Sequence, residues 1–249
     1  MIPKTSTHRY HRVALTAMVG LFLASCGTSP GPATTNEAVE RLFETRRNFE
    51  GASSLANVRV TGRGGQSFRA AMTIDAGGAM NLSALTPFGT TAAQVRIEDD
   101  RITLINHLRD TWWEGRLDQL SGGHALAEAF RVEGLSYLLT GLPPWNDQDH
   151  VNREIVSDEY TRLSNGPLSL ILSRGGILSG LLALGDEEIS IRFEGQSIPP
   201  AKLQVSSSID PSRIVQFEHI SLEFKPVTLD PLSIPAEYRR AQHWEAVVQ

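Results

Sequence analysis

The sequence predicts a mainly β protein with one helical insertion, in which about eleven antiparallel strands curl into a barrel or half-barrel. Three observations predict it. Apolar and polar residues alternate with period two over most of the chain after Gly51. Turn signals at Gly64-Gly65, Gly77-Gly78 and Asp99-Asp100 separate the alternating runs, as a meander of hairpins requires. Between Leu117 and Leu139 the apolar spacing turns helical, and the Pro143-Pro144 pair then ends that segment. With 41% hydrophobic residues over 249 positions, the chain can bury a substantial core as one domain.

At the N-terminus, Lys4, Arg9 and Arg12 form a basic region before an apolar stretch, Val13 to Leu23. At about eleven residues that stretch is too short to span a bilayer, which takes about twenty, and it suits a secretory signal. The run Leu23-Ala24-Ser25-Cys26 ends in the only cysteine of the chain. Its order and its place after the apolar stretch resemble the lipobox of bacterial lipoproteins. The resemblance implies cleavage before Cys26, diacylation of its thiol by chains such as palmitate, and acylation of the new amino group. Each buried methylene is worth about 0.8 kcal/mol, so two or three chains anchor stably where one does not. Gly27 stands where an inner-membrane retention signal has Asp, which by the same resemblance points to the outer membrane, with the domain on its periplasmic face. Residues 1–25 are thus read as a signal peptide and 26–36, rich in Pro, Gly, Ser and Thr, as lipidated cysteine and flexible tether.

Asn36 is the expected helix cap, with Glu37 and Glu40 in the first turn and Ala38, Leu42 and Phe49 near helical spacing. Strands are expected at 55–61, 66–74, 79–85, 92–98 and 101–108. Beyond the insertion they resume at 153–163, 168–173, 177–184, 189–194, 201–207 and 214–224. In the first strand Val58 and Val60 share a face opposite Arg59 and Thr61, so one side is apolar and the other wet. The segment 226–249, with Pro226, Pro231 and Pro235, reads as an extended tail that wraps the sheet or ends in a short helix. The domain proper is therefore set at 37–225.

Charge and motif exclude several functions. Loss of the leader removes three basic and no acidic residues and takes the formal charge from −5 to −8, which argues against a nucleic-acid partner. The pattern Gly27-Thr28-Ser29-Pro30-Gly31 matches Gly-x-Ser-x-Gly, but it lies in the tether, where no strand and helix hold the serine. His107, His124, His150, His219 and His243 are scattered without metal-ligand spacing, and the acid pairs Glu187-Glu188 and Asp99-Asp100 sit at turn signals. Nucleotide-binding glycine patterns are missing. The expectation is a protein that is not an enzyme and uses no cofactor or metal.

The run Asn81-Leu-Ser-Ala-Leu-Thr-Pro-Phe-Gly-Thr-Thr91 is similar to the strand, loop and strand segment of the LolB-like outer-membrane lipoprotein receptors, where Pro, a large apolar residue, Gly and a hydroxyl residue occur in that order. Gly134-Leu-Ser-Tyr-Leu-Leu-Thr-Gly-Leu-Pro143 looks like the helix end before the second half of that family's sheet. The segment 100–115 resembles a separate branch of LolA/LolB-like lipoproteins and departs from the receptor proper. The resemblance implies an open half-barrel with a helical lid, whose concave face takes acyl chains of lipoproteins from a periplasmic carrier of LolA type for insertion in the outer membrane. A related envelope lipoprotein that binds another lipid or supports an envelope assembly is the alternative reading.

Candidates to line such a cavity are Val58, Val60, Phe68, Met72, Met80, Leu82, Val95, Ile97 and Leu104 in the first half of the sheet, and Ile191 and Phe193 in the second. Leu126, Phe130 and Leu138 are the candidates from the lid. Any of them taken singly could instead pack a closed core. Phe88, between Pro87 and Gly89 in a strand connection, has little reason to be there unless it packs back or meets lipid. In the family the matching residue lies on a protruding loop and helps place the cargo in the membrane, which makes Pro87, Phe88 and Gly89 the membrane-insertion loop. Of the adjacent Trp112 and Trp113, at most one can face the cavity.

Overall fold

The computed structural model describes residues 34–62, 65–119, 134–145, 149–184, 186–195 and 198–248. One curled sheet of fourteen strands forms the body. In chain order its first half is β1 Gly51–Val60, β2 Gln66–Asp75, β3 Met80–Leu85, β4 Thr91–Glu98, β5 Arg101–Asn106 and β6 Thr111–Arg116. The second half is β7 Asn152–Ile155, β8 Thr161–Asn165, β9 Leu168–Ser173, β10 Gly176–Leu184, β11 Glu187–Glu194, β12 Lys202–Ser207 and β13 Ile214–Phe224, with β14 Arg239–Arg240 in the tail. The spatial order is β14-β6-β5-β4-β3-β2-β1-β13-β12-β11-β10-β9-β8-β7. The two meanders join where β1 pairs with β13, and every neighbour is antiparallel except β14, which runs parallel to β6.

The fold class is the expected one, but the described residues form fourteen strands where about eleven were expected. The stretch 153–163 is two strands, because Ser157 and Tyr160 close a turn between them, with Tyr160 N–H donating to Ser157 O. The residues after Asn106 double back into β6 through Asp110, which adopts φ 52°. The third addition, β14, is a parallel pair between distant segments and has no local signal.

Helix α1, Thr35–Arg47, starts earlier than Asn36 would make it. Thr34 is the cap: its hydroxyl accepts from Glu37 N–H at 3.2 Å while the Glu37 carboxylate accepts from Thr34 N–H at 3.1 Å. This reciprocal pair satisfies two end donors at once, so it outcompetes Asn36, which falls inside the helix. Thr35, Ala38, Val39, Leu42 and Phe43 are buried against the inner face of the sheet, chiefly over β9 and β10. Phe49 lies beyond the helix end and still joins the core.

Register sorts the strand residues into two faces. The inner set includes Ala52, Ser54, Ala56 and Val58 on β1, paired with Ile74, Met72, Ala70 and Phe68 on β2. Pairing carries the set on to Met80, Leu82, Ile97, Val95, Ile102, Leu104 and Trp113. A short helix α2, Leu135–Leu139, also packs its buried Tyr137, Leu138 and Leu139 there. After β13 the chain crosses the outer face, where Arg96 Nη1 donates to Asp230 O at 2.6 Å. It then rounds the β6 edge and ends in α3, Glu245–Val248, whose Val247 is buried and accepts from the inner-face Asn106 Nδ2 at 2.7 Å.

Leu42 is fully buried between α1 and the sheet. Leu42→Ala is expected to lower the unfolding free energy by about 2–5 kcal/mol, read as a lower urea midpoint with unchanged slope.

Candidate functional site

The site is an apolar floor and the hairpin beside its mouth. Along β1 to β4 the inner face is closed at one end and half-open at the other. Met72, Ile74, Met80 and Ile97 are buried, whereas Val60, Phe68, Leu82 and Val95, nearer the other strand ends, are half-exposed. Val215 and Phe217 on β13 continue the half-exposed set, since they pair with Val60 and Val58. The floor is thus an apolar surface that opens toward one rim of the sheet.

That rim carries the β3–β4 turn. Residues Thr86-Pro87-Phe88-Gly89 place Pro second and Gly fourth, as a tight turn favours. Gly89 N–H donates to Thr86 O at 2.9 Å, Thr86 N–H to Thr90 O at 2.8 Å, and the two threonine hydroxyls bond at 2.7 Å. Gly89 adopts φ +83°, which a side chain would strain. The turn is thereby stiff up to its tip, and Phe88 at the third position is 94% exposed. A Phe in that position packs against nothing in its own sheet.

At the closed end α2 is tied to the sheet by His219. Its Nε2 lies 3.2 Å from Leu139 O and its Nδ1 2.8 Å from Ser54 Oγ. A carbonyl only accepts, so Nε2 carries the proton and Nδ1 accepts from the serine hydroxyl. The neutral ring therefore bridges β13, β1 and the end of α2. Burial pushes the His219 value down, against the opposing pull of the Leu139 carbonyl. Tyr137 supplies a second tie. Its hydroxyl donates to Ala76 O at 3.0 Å, its ring lies 3.6 Å beneath the Arg46 guanidinium, and Phe49 meets it edge-on. Gly78 leaves room for that phenol, since a Cβ there would stand 2.9 Å from its oxygen.

Of the residues named from the sequence, Val60, Phe68, Leu82 and Val95 lie on the half-open floor. Val58, Met72, Met80, Ile97, Leu104, Leu138, Ile191 and Phe193 are buried on the same inner face, in closed packing. Leu126, Phe130 and Cys26 fall outside the described residues. Trp113 is in the core, and Trp112, on the other face, lies under the Arg240 guanidinium at 4.9 Å. The His219 bridge escaped the sequence because its partners are 80 and 165 residues away. Its only local signal is its phase with Val215 and Phe217 on β13.

No protein-family model and no curated protein matches the sequence. Solved structures do match by shape. A LolA superfamily protein from Nitrosomonas europaea superposes with a TM-score of 0.50 over 79% of this chain and 96% of its own, at 9% identity. A domain from Vibrio parahaemolyticus, assigned to outer membrane lipoprotein sorting, gives 0.50 over 79% and 95%, also at 9% identity. The chain has the LolA-like fold. At such identity the likeness concerns architecture, an open curled sheet of many antiparallel strands. Among the described residues no helix is long and apolar enough to cross a membrane, and no group of three or more His, Cys, Asp or Glu could hold a metal ion.

Because the folded value of His219 lies below 6.5, the unfolded chain takes up the proton first. The stability held by the neutral bridge is then complete above pH 6.5 and lost as pH falls below it. Urea midpoints measured from pH 7.5 to 5 should fall over that interval in the wild type, and His219→Gln should flatten the decline.

Proposed function

We propose that this protein is an outer-membrane-anchored lipoprotein that accepts acyl chains of lipoproteins from a soluble periplasmic carrier of LolA type and delivers them into the outer membrane. The observation that carries the reading is the placement of the half-open apolar floor and the 94% exposed Phe88 on one rim of the sheet. A chain lying on that floor leaves past Phe88.

The physics of transfer favours such an arrangement. A sixteen-carbon chain exposed to water costs about 12 kcal/mol at 0.8 per methylene, a barrier that an apolar surface largely removes. The floor needs no bond chemistry to do this, so the protein acts as a binding protein and not as an enzyme, without cofactor. The lipidated Cys26 would hold the domain at the periplasmic face of the membrane. Phe88 would orient it there, since burial of one Phe is worth about 1.5–3 kcal/mol, enough to bias an already tethered domain and too little to anchor it.

The test loads a fluorescent lipoprotein on the carrier and adds the protein in vesicles of outer-membrane phospholipid. Wild type should take the cargo and release it to lipid. Phe88→Glu should slow release at least about tenfold, following that burial energy, while uptake of an apolar dye stays unchanged. A wild type that takes up dye but no acyl cargo would overturn the receptor reading.

A further inference from the structure

Phe88 has company on its rim. Register puts the turns 61–65, 86–90, 107–110 and 208–213 at the same end of the sheet, because Val60 pairs with Gln66 and Val215, Ala93 with Asn106, and Asn106 with Thr111. These four turns belong to successive hairpins along the sheet, so neighbouring tips stand two strands, or about 10 Å, apart. Leu108, at the next tip to Phe88, is 73% exposed, and Ile209, two tips away on the other side, is 72% exposed. Between them lies the tip that includes Gly62 and Gly65.

Each of these side chains is held out by its turn. Leu108 N–H donates to Asn106 Oδ1 at 3.0 Å, and Asp110 at φ 52° returns the chain to β6. Ile209 N–H donates to Ser207 Oγ at 3.1 Å, and the following turn closes with Arg213 N–H on Asp210 O at 3.0 Å. We infer that Phe88, Leu108 and Ile209 form a three-point rim that enters the lipid leaflet facing the domain, with the mouth of the apolar floor held against the bilayer. The inference rests on the membrane-tethered reading and extends it from one loop to a face.

Charge and shape select lipid as the occupant. A mature chain of net charge −8 is repelled by anionic lipid unless it presents a face whose own charges cancel. The three tips are such a face: the Phe88 turn carries no charge, Arg109 stands beside Asp110, Asp210 and Arg213 share one turn, and the sequence of the tip between Phe88 and Ile209 adds a cation, Arg63, rather than an acid. The exposed Ile155 and Val156 at the β7–β8 turn lie on the opposite rim beside Asp158 and Glu159, with no cation in that turn, and would drag two carboxylates into lipid. Three separate tips spread along about 30 Å of rim also suit a fluid medium, which needs no complementary shape, better than a protein surface, which does.

The test uses the full chain, processed in a Gram-negative host and reconstituted in vesicles of phosphatidylethanolamine and phosphatidylglycerol. Phe88→Cys, Leu108→Cys and Ile209→Cys are each labelled with an environment-sensitive fluorophore, and Ala76→Cys, in the β2–β3 turn at the opposite end of the sheet, serves as the control. Labelling of the wild type reports any unacylated Cys26. The expected result is a severalfold rise in emission at 88, 108 and 209, quenched by spin-labelled lipid and insensitive to salt, with position 76 remaining in water. Quenching at 88 alone would overturn the three-point rim and leave the single-loop reading standing. Quenching at none of the three would overturn both. A change at 108 and 209 that appears only with loaded carrier, without lipid quenching, would overturn the inference by making this rim a protein-docking face.

Discussion

An open sheet cannot bury its inner face against itself, and in this molecule that face is apolar from β1 to β13. Something other than the sheet must cover it, and the rest of the structure follows from how that is done. Helix α1 fills the side formed by β9 and β10, with Val39 and Leu42 fully buried. The short α2 and the C-terminal α3 seal parts of the other half, through Tyr137, Leu138 and Val247. Coverage ends partway along β1 to β4, where Val60, Phe68, Leu82 and Val95 are left half-open. A closed barrel would have removed this constraint and with it the apolar surface on which the proposed function depends.

Different chemistry secures the two ends of that face. At the closed end the ties are polar and specific: a neutral imidazole between Ser54 and Leu139, and a phenol hydroxyl on Ala76. Buried polar bonds of this kind fix one arrangement, because an alternative packing would leave their atoms unpaired. The half-open side chains Val60, Phe68, Leu82 and Val95 are apolar, and their contacts are undirected. The contrast suits the proposed function, which asks the surface to take chains without a fixed shape while its frame keeps one.

Much of this was legible in sequence, for reasons that can be stated residue by residue. Alternation in runs such as Asn57 to Thr61 reports a half-buried strand directly, and Pro87 and Gly89 dictate a turn that leaves Phe88 at its tip. The cap was legible too, as Thr34-x-x-Glu37, and was misplaced because Asn36 is an equally good cap taken alone. What could not be read are features made by residues far apart in the chain. The pairing of β14 with β6, the His219 bridge and the common rim of Phe88, Leu108 and Ile209 exist only once register is known. The division of the inner-face candidates into buried and half-open sets also depends on where α1 and α2 lie, and no single strand records that.

The two edges of the sheet are treated unequally. The start of the β6 edge, Thr111 and Trp112, is occupied by the chain's own β14, and the tail continues past it to plant Val247 on the inner face. Among the described residues no strand pairs with the outer side of β7: Asn152–Ile155 is exposed along its length and guarded by the ion pairs of Arg153 with Glu40 and of Glu154 with Arg162. An unpaired edge is a template for another strand. Among the described residues the tail blocks the start of the other edge, at Thr111 and Trp112, so two copies that met through β7 would use up the fully open edge of each. Pairing through β7 closes as a twofold dimer, and the C-terminal strap blocks the start of the second edge that a growing filament would need.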